Sequence, residues 1–114
     1  MGYEYESHNI SIAPGGDAYK QPFQLPTGKC IGMCFLPFGD IPAQNINLSI
    51  ETTQGADIIK PVDVRDFLKG TIGGLESYKP TGFRTHGQVN VVVNTTKALA
   101  SEFSGQLVLV IQKD

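Results

Sequence analysis

The chain has 114 residues, 40% of them hydrophobic and 18% charged, and it carries a net charge of −2. This length allows one domain with a single core, and the hydrophobic content is too high for a disordered chain. A slightly acidic chain with two arginines lacks the basic surface of a nucleic-acid-binding protein. We therefore predict one globular domain, covering residues 1–114, without a nucleic-acid partner.

The first ten residues, MGYEYESHNI, contain two glutamates and no apolar segment, which predicts that they are not a signal peptide. No apolar run approaches the roughly 18 residues of a membrane span. Cys30 and Cys34 would lie about 13 Å apart on one face of a strand, at ~3.3 Å per residue, which is beyond disulfide reach. These features predict buried, reduced thiols and assembly in a reducing cytoplasm.

Apolar and polar residues alternate with a period of two along much of the N-terminal half, which predicts strands. The alternation is weak at 5–12 and 18–25 and clear at 45–51. Pro26-Thr-Gly28 reads as a turn between strands. The stretch 30–39, CIGMCFLPFG, is apolar on whichever face it is read.

The middle of the chain contains two weak strand candidates, 57–60 and 74–79. Between them, 63–69 is predicted to form a short helical turn, because Asp63 can cap its start and Gly70 follows its end. The C-terminal part returns to clear alternation at 88–94 and 104–112, although the polar faces of these two segments are interrupted by valines.

About eight short strands joined by turns rich in glycine and proline predict an all-β antiparallel sandwich. An immunoglobulin-like sandwich and a jelly roll are the two candidates. The chain has no tryptophan, and its two cysteines cannot form the bridge between sheets that antibody domains contain. We therefore favour the jelly roll.

A two-layer sandwich normally exposes the outer face of each sheet, so a segment that is apolar on both faces needs additional cover. Loops of the chain itself or a second subunit could supply it, and we favour a homo-oligomer. The predicted interface residues are Ile31, Met33, Phe35, Val92, Val108 and Val110. Under this hypothesis, Met33→Asp or Val110→Lys should dissociate the assembly and leave the fold intact.

The sequence contains no nucleotide-binding loop, zinc-protease motif or hydrolase nucleophile elbow, and it has two histidines. Asp63 and Asp66 could share a cation, but a helix cap and a dipole partner are the simpler roles. We predict no catalytic residues, no metal and no cofactor. A metal-dependent enzyme of the cupin type is the least favoured alternative.

The second hypothesis is a monomeric ligand-binding module, with carbohydrate as the candidate ligand. Two segments read as turns, 70–74 and 80–87, could form its binding surface. The candidate ligand-binding residues are Tyr78, Arg84 and His86, which supply an aromatic face and polar groups.

The order of alternating strands and the ending Phe-Ser-Gly-Gln-Leu-Val-Leu-Val-Ile resemble the small single-jelly-roll virion proteins of icosahedral bacterial viruses, such as penton or minor capsid subunits. The resemblance spans most of the chain as a pattern and includes no diagnostic motif. It implies a non-enzymatic subunit of the virion that contacts itself and other capsid proteins through sheet faces and loops.

Overall fold

The fold consists almost entirely of antiparallel strands. The computed structural model describes residues 2–68 and 78–113. Within these ranges there are six strands and one 3-10 helix, which spans Val64–Phe67. The strands are β1 (Tyr3–Ile12), β2 (Ala18–Pro37), β3 (Ile46–Glu51), β4 (Asp57–Asp63), β5 (Lys79–Thr95) and β6 (Phe103–Lys113). They form one hydrogen-bonded sheet with the order β1-β6-β2-β5-β3-β4.

Two long strands, β2 and β5, divide this sheet into two layers. The partner strand β6 pairs with β2 only over 28–37, and β3 pairs with β5 only over 90–95. The first layer therefore contains β1, β6, the second half of β2 and the first half of β5. The second layer contains the first half of β2, the second half of β5, β3 and β4. Side chains of both layers form a single hydrophobic core.

The order of the strands in the two layers is that of a jelly roll. Four shorter strands and two halves each of β2 and β5 make eight segments. Numbered along the chain, they follow the order 1-8-3-6 in the first layer and 2-7-4-5 in the second. Successive segments thus alternate between layers, except for the β3–β4 hairpin. The predicted all-β jelly roll of about eight strands is confirmed.

The bend between the layers is built from glycines and a register shift. The β2–β5 ladder shifts between Leu25 and Gly28, and Gly87 on β5 has φ +111°, a conformation that favours glycine. At Gly28 a Cβ atom would lie 2.4 Å from the backbone oxygen of Gln112, so the close approach of β6 also requires glycine. The bulge and the glycines allow one strand to continue through both layers.

The predicted strands and helical turn correspond closely to the observed ones, but two predicted turns lie inside strands. All strand predictions within the described residues lie in strands, and the helical turn predicted over 63–69 is the 3-10 helix with Asp63 as its cap. The predicted strand 74–79 lies mostly outside the described residues. The turns predicted at 26–28 and 80–87 are wrong, because both segments lie inside the long strands β2 and β5.

Candidate functional site

The apolar stretch 30–39 does not keep a strict alternation of faces. The pairing of β2 with both β5 and β6 shifts in register between Cys30 and Gly32, so Ile31 occupies a bulge. This bulge places Cys30 and Met33 in the same core, whereas Cys34 lies outside that core cluster. The prediction that the two cysteines share a face is therefore wrong. Both thiols are buried and are not joined by a disulfide.

Met33 and Phe35 belong to the central core rather than to an outer face. Both side chains are fully buried, and they lie opposite Leu109 and Leu107 on β6. The ring of Phe35 also stacks on Phe103, with the ring centroids 5.3 Å apart. These two residues face the opposite layer of the same chain.

Val92 points to the outer face of the second layer, but a neighbouring ion pair covers it. Lys20 lies opposite Val92 on β2, and Ser49 lies opposite it on β3. The Lys20 ammonium reaches across β5 to Glu51, with an Nζ–Oε1 distance of 3.6 Å. The aliphatic stem of the lysine therefore passes over the valine, which is only 6% exposed.

Val110 is covered in a similar way on the outer face of the first layer. It lies between Tyr5 on β1 and Gly32 on β2, and Tyr78 packs against Gly32. The rings of Tyr5 and Tyr78 meet edge to face, with centroids 6.2 Å apart. The two tyrosines therefore close over the glycine and the valine. Val108, one row further along the face, is 7% exposed.

These positions correct the predicted interface. Five of its six residues are no more than 7% exposed within the single chain, and the sixth, Ile31, is half-buried in the bulge. Cover comes from the opposite layer, from Lys20 and from the tyrosines, so it does not require a second subunit. Because Met33 and Val110 are fully buried, we now expect Met33→Asp and Val110→Lys to disrupt the fold itself.

An exposed tyrosine patch remains on the outer face of the first layer. We define it as Tyr3, Tyr5 and Tyr78; the side chains of Tyr3 and Tyr5 are 54% and 55% exposed. The alternate side of β1 carries Glu4 and Glu6. Burial raises the pKa of Glu6, and the neighbouring Glu4 raises it further. Acidic residues on the inward side of an edge strand oppose pairing with a second edge, so the patch is available only through its face.

A cleft lies where β3 ends beside β5. The β3–β5 ladder stops at the pair Glu51–Asn90, and the chain then turns away through 52–56 into β4. This leaves a cleft of about 590 Å³ along 83–89 of β5. Its lining residues are Thr52, Thr53, Gln54, Ile58, Phe83, Arg84, Thr85, Gly87, Gln88 and Val89.

The walls of this cleft are held by hydrogen bonds within the chain. The Thr85 hydroxyl donates to the carbonyl of Pro26 at 2.6 Å. The Thr52 hydroxyl accepts from the amide of Ala56 at 3.1 Å, and the backbone of the same two residues closes the turn. The opening is thus bordered by a strand and a tight turn, both held by hydrogen bonds within the chain.

The structure separates the predicted ligand-binding residues. Arg84 lines the cleft, whereas Tyr78 belongs to the tyrosine patch and does not line it. His86 lies in β5, but its side chain is outside the described part of the structure, as is the segment 70–74. Sequence patterns missed the other cleft residues because they are ordinary polar residues of a strand and a turn. They become a site only because β3 is shorter than β5.

A second polar cluster joins β1 to the first half of β2, at the open side of the sandwich. The His8 Nε2 atom lies 2.7 Å from the Tyr19 hydroxyl, which donates to the backbone oxygen of Asn9 at 3.0 Å. The imidazole also packs on Phe23, with centroids 4.9 Å apart. Burial lowers the pKa of His8 and raises the pKa of Tyr19. This cluster connects the edges of the two layers.

Asp63, which caps the 3-10 helix, and Asp66, which lies within it, each form an ion pair with a basic side chain of the same chain. Asp63 accepts hydrogen bonds from the backbone amides of Arg65 and Ile46 and forms an ion pair with the Arg65 guanidinium. Asp66 forms an ion pair with Lys79. The interpretation of Asp63 as a helix cap is confirmed. Among the described residues, no three potential metal-ligating side chains cluster together.

Comparison with known proteins does not assign the chain to a family. No protein-family model matches the sequence, and no curated protein matches it significantly. In the ranges 2–68 and 78–113, no helix is long and apolar enough to cross a membrane.

Proposed function

We propose that this chain is a non-enzymatic, self-associating jelly-roll protein that serves as a structural component of a virion. The proposal rests on the strand order, because jelly rolls of eight strands are a recurrent fold of viral capsid proteins. The tyrosine patch is the contact surface that the geometry offers. Partners are a second copy of the chain and other capsid proteins.

The tyrosine patch has the chemistry of a protein–protein contact. Tyrosine is enriched at interfaces because its ring supplies apolar area at low entropic cost and its hydroxyl still forms hydrogen bonds. Tyr3 and Tyr5 are each about half exposed on the same side of β1. Their rings stand on a rigid sheet, so a partner meets a surface that needs little ordering.

The self-association is tested by mass in solution. Sedimentation velocity at several protein concentrations should give a mass above the 12.3 kDa of one chain. The double variant Tyr3→Ser/Tyr5→Ser should sediment as a monomer. Phe38→Ser is the matched control, because Phe38 is 64% exposed but lies outside the patch. This control should keep the mass of the unmodified chain.

Two results would reject the proposal. One is a single-chain mass at every concentration, and the other is an unchanged assembly in the tyrosine double variant. The virion role has its own test in negative-stain electron microscopy of the concentrated protein. Closed rings or shells of defined size support it, and particles no larger than dimers oppose it.

A further inference from the structure

We infer that the cleft beside β5 binds a short, uncharged saccharide. This role goes beyond self-association, since no residue of the tyrosine patch lines the cleft. Its volume of about 590 Å³ lies within the roughly 300–1,000 Å³ of small-molecule sites. The site therefore accommodates the end of an oligosaccharide rather than a folded partner.

The lining combines one aromatic ring with hydrogen-bonding groups, which is the chemistry that a sugar requires. Phe83 is half-buried and offers an apolar surface to the C–H groups of a sugar ring. Gln54 and Gln88 are exposed, and each amide can donate to one hydroxyl and accept from another. Thr53 adds a further exposed hydroxyl. The aromatic ring sets the position of the sugar, and the amides discriminate between its hydroxyl arrangements.

Five of the six polar side chains that the structure describes in the lining are neutral, which favours an uncharged ligand over a cation or a multiply charged anion. Among the lining residues that the structure describes there is no carboxylate, and Arg84 is the one that carries a charge. The polar residues Thr52, Thr53, Gln54, Thr85 and Gln88 are neutral. Such a set hydrogen-bonds hydroxyl groups without a counter-ion, so neutral sugars fit it better than cations or multiply charged anions.

The test is a titration of the isotope-labelled chain, followed by NMR. The probes are glucose, galactose, mannose, maltose, cellobiose and lactose, with glucuronic acid as a charged probe and a short extended peptide as a strand-like probe. At least one neutral sugar should give saturable shifts confined to 52–58 and 83–89. The double variant Gln54→Ala/Gln88→Ala should bind that sugar about tenfold or more weakly, because two hydrogen-bonding amides are lost.

Two further variants separate binding from folding. Phe83→Leu keeps an apolar side chain at the core edge but removes the aromatic surface, so it should weaken the sugar and preserve the spectrum elsewhere. Gln21→Ala is the matched control, because Gln21 is an exposed glutamine of β2 that does not line the cleft. It should bind like the unmodified chain.

Several outcomes overturn the inference. They are the absence of saturable shifts with every neutral sugar, shifts centred outside the cleft, stronger binding of glucuronic acid or of the peptide, and unchanged affinity in the double glutamine variant. None of these results alters the mass of the assembly, so the saccharide site and the structural role fail separately.

Discussion

We predict that Gly105→Ala destabilises the fold, because the space around Gly105 is too small for a methyl group. Gly105 lies in β6 between Ile10 and Pro37 on the neighbouring strands. A Cβ atom there would lie 2.2 Å from Cζ of Phe35 and 2.7 Å from the backbone oxygen of Leu36. The Phe35 ring is fully buried, so it cannot swing into solvent. Relief requires movement of both a packed ring and a strand.

The expected cost follows from these distances. Overpacking a well-filled core costs about 1–3 kcal/mol, and the more restricted unfolded chain of alanine returns about 0.5–1 kcal/mol. Contact with backbone places Gly105→Ala at the upper end, which gives a net loss of about 2 kcal/mol. With an unfolding entropy of ~2.1 cal/mol/K per residue over 114 residues, Tm should fall by about 8 °C.

Urea and thermal unfolding measure this loss directly, with Gly39→Ala as the matched control. At Gly39 an added Cβ meets nothing within 4 Å, so its stability should stay within about 0.5 kcal/mol of the original. A double-mutant cycle with Phe35→Leu tests the mechanism. Because leucine lacks the ring tip, Gly105→Ala should cost less in that background.

Unchanged stability in Gly105→Ala would refute the packing argument. So would strict additivity with Phe35→Leu, because the clash would then not involve the ring.

Three other predictions concern the core and the two polar clusters. Met33→Asp places an unpaired charge at a fully buried position and should abolish the fold; circular dichroism retaining the strand signal would contradict the assigned burial. Burial lowers the pKa of His8 in the folded chain from its ordinary value of 6.5, so the folded state binds fewer protons than the unfolded state. The contribution of His8 to the free energy of unfolding should therefore be fully present above pH 6.5. It should be lost as pH falls through the lowered pKa. His8→Asn should flatten this part of the urea stability profile between pH 5 and pH 8, and an unchanged slope would exclude His8 as its source. For Asp63, desolvation opposes ionisation, but hydrogen bonds from Arg65 and Ile46 and the Arg65 charge outweigh it and lower the pKa. Asp63→Asn keeps a capping side chain but removes the charge that pairs with Arg65, so it should cost about 0.5–1 kcal/mol at neutral pH. The difference from the original chain should vanish as pH falls through the lowered Asp63 pKa; equal stability of the two chains at pH 7 would show that this charge contributes nothing.

Local sequence patterns are sufficient to predict a strand where one face is exposed to solvent and the other is buried. The alternation at 45–51, 88–94 and 104–112 identified β3, the second half of β5 and β6, because period-2 patterning reports burial of one face directly. Asp63 likewise identified the helical turn, since capping depends on a few neighbouring residues. The number and spacing of the strands predict the β-sandwich, and the missing tryptophan and inter-sheet disulfide favour the jelly roll over an immunoglobulin-like fold.

The errors arose where the chain departs from regular pairing. A bulge at Ile31 changes which residues face the core, and no composition signal marks it, so Met33 and Phe35 were assigned to an interface. Proline next to glycine predicts a turn at Pro26 and at Pro80, but both residues lie inside long strands. The cover of Val92 depends on a lysine and a glutamate from two other strands, a relation that only the register reveals.

The cleft was beyond prediction for a similar reason. The sequence offers Arg84 as a ligand candidate, but Gln54 and Gln88, which also line the opening, are 34 positions apart in the sequence. Their proximity depends on where the β3–β5 ladder ends. No local sequence pattern marks the residue at which the β3–β5 ladder ends.

The unbroken passage of β2 and β5 from one layer to the other has a mechanical consequence. In a sandwich whose sheets are joined only by loops, the two sheets can slide or separate. Here the strands β2 and β5 run without interruption from one sheet into the other. We therefore expect the two layers to unfold together rather than separately. A domain built this way should resist deformation and keep the shape of its surface.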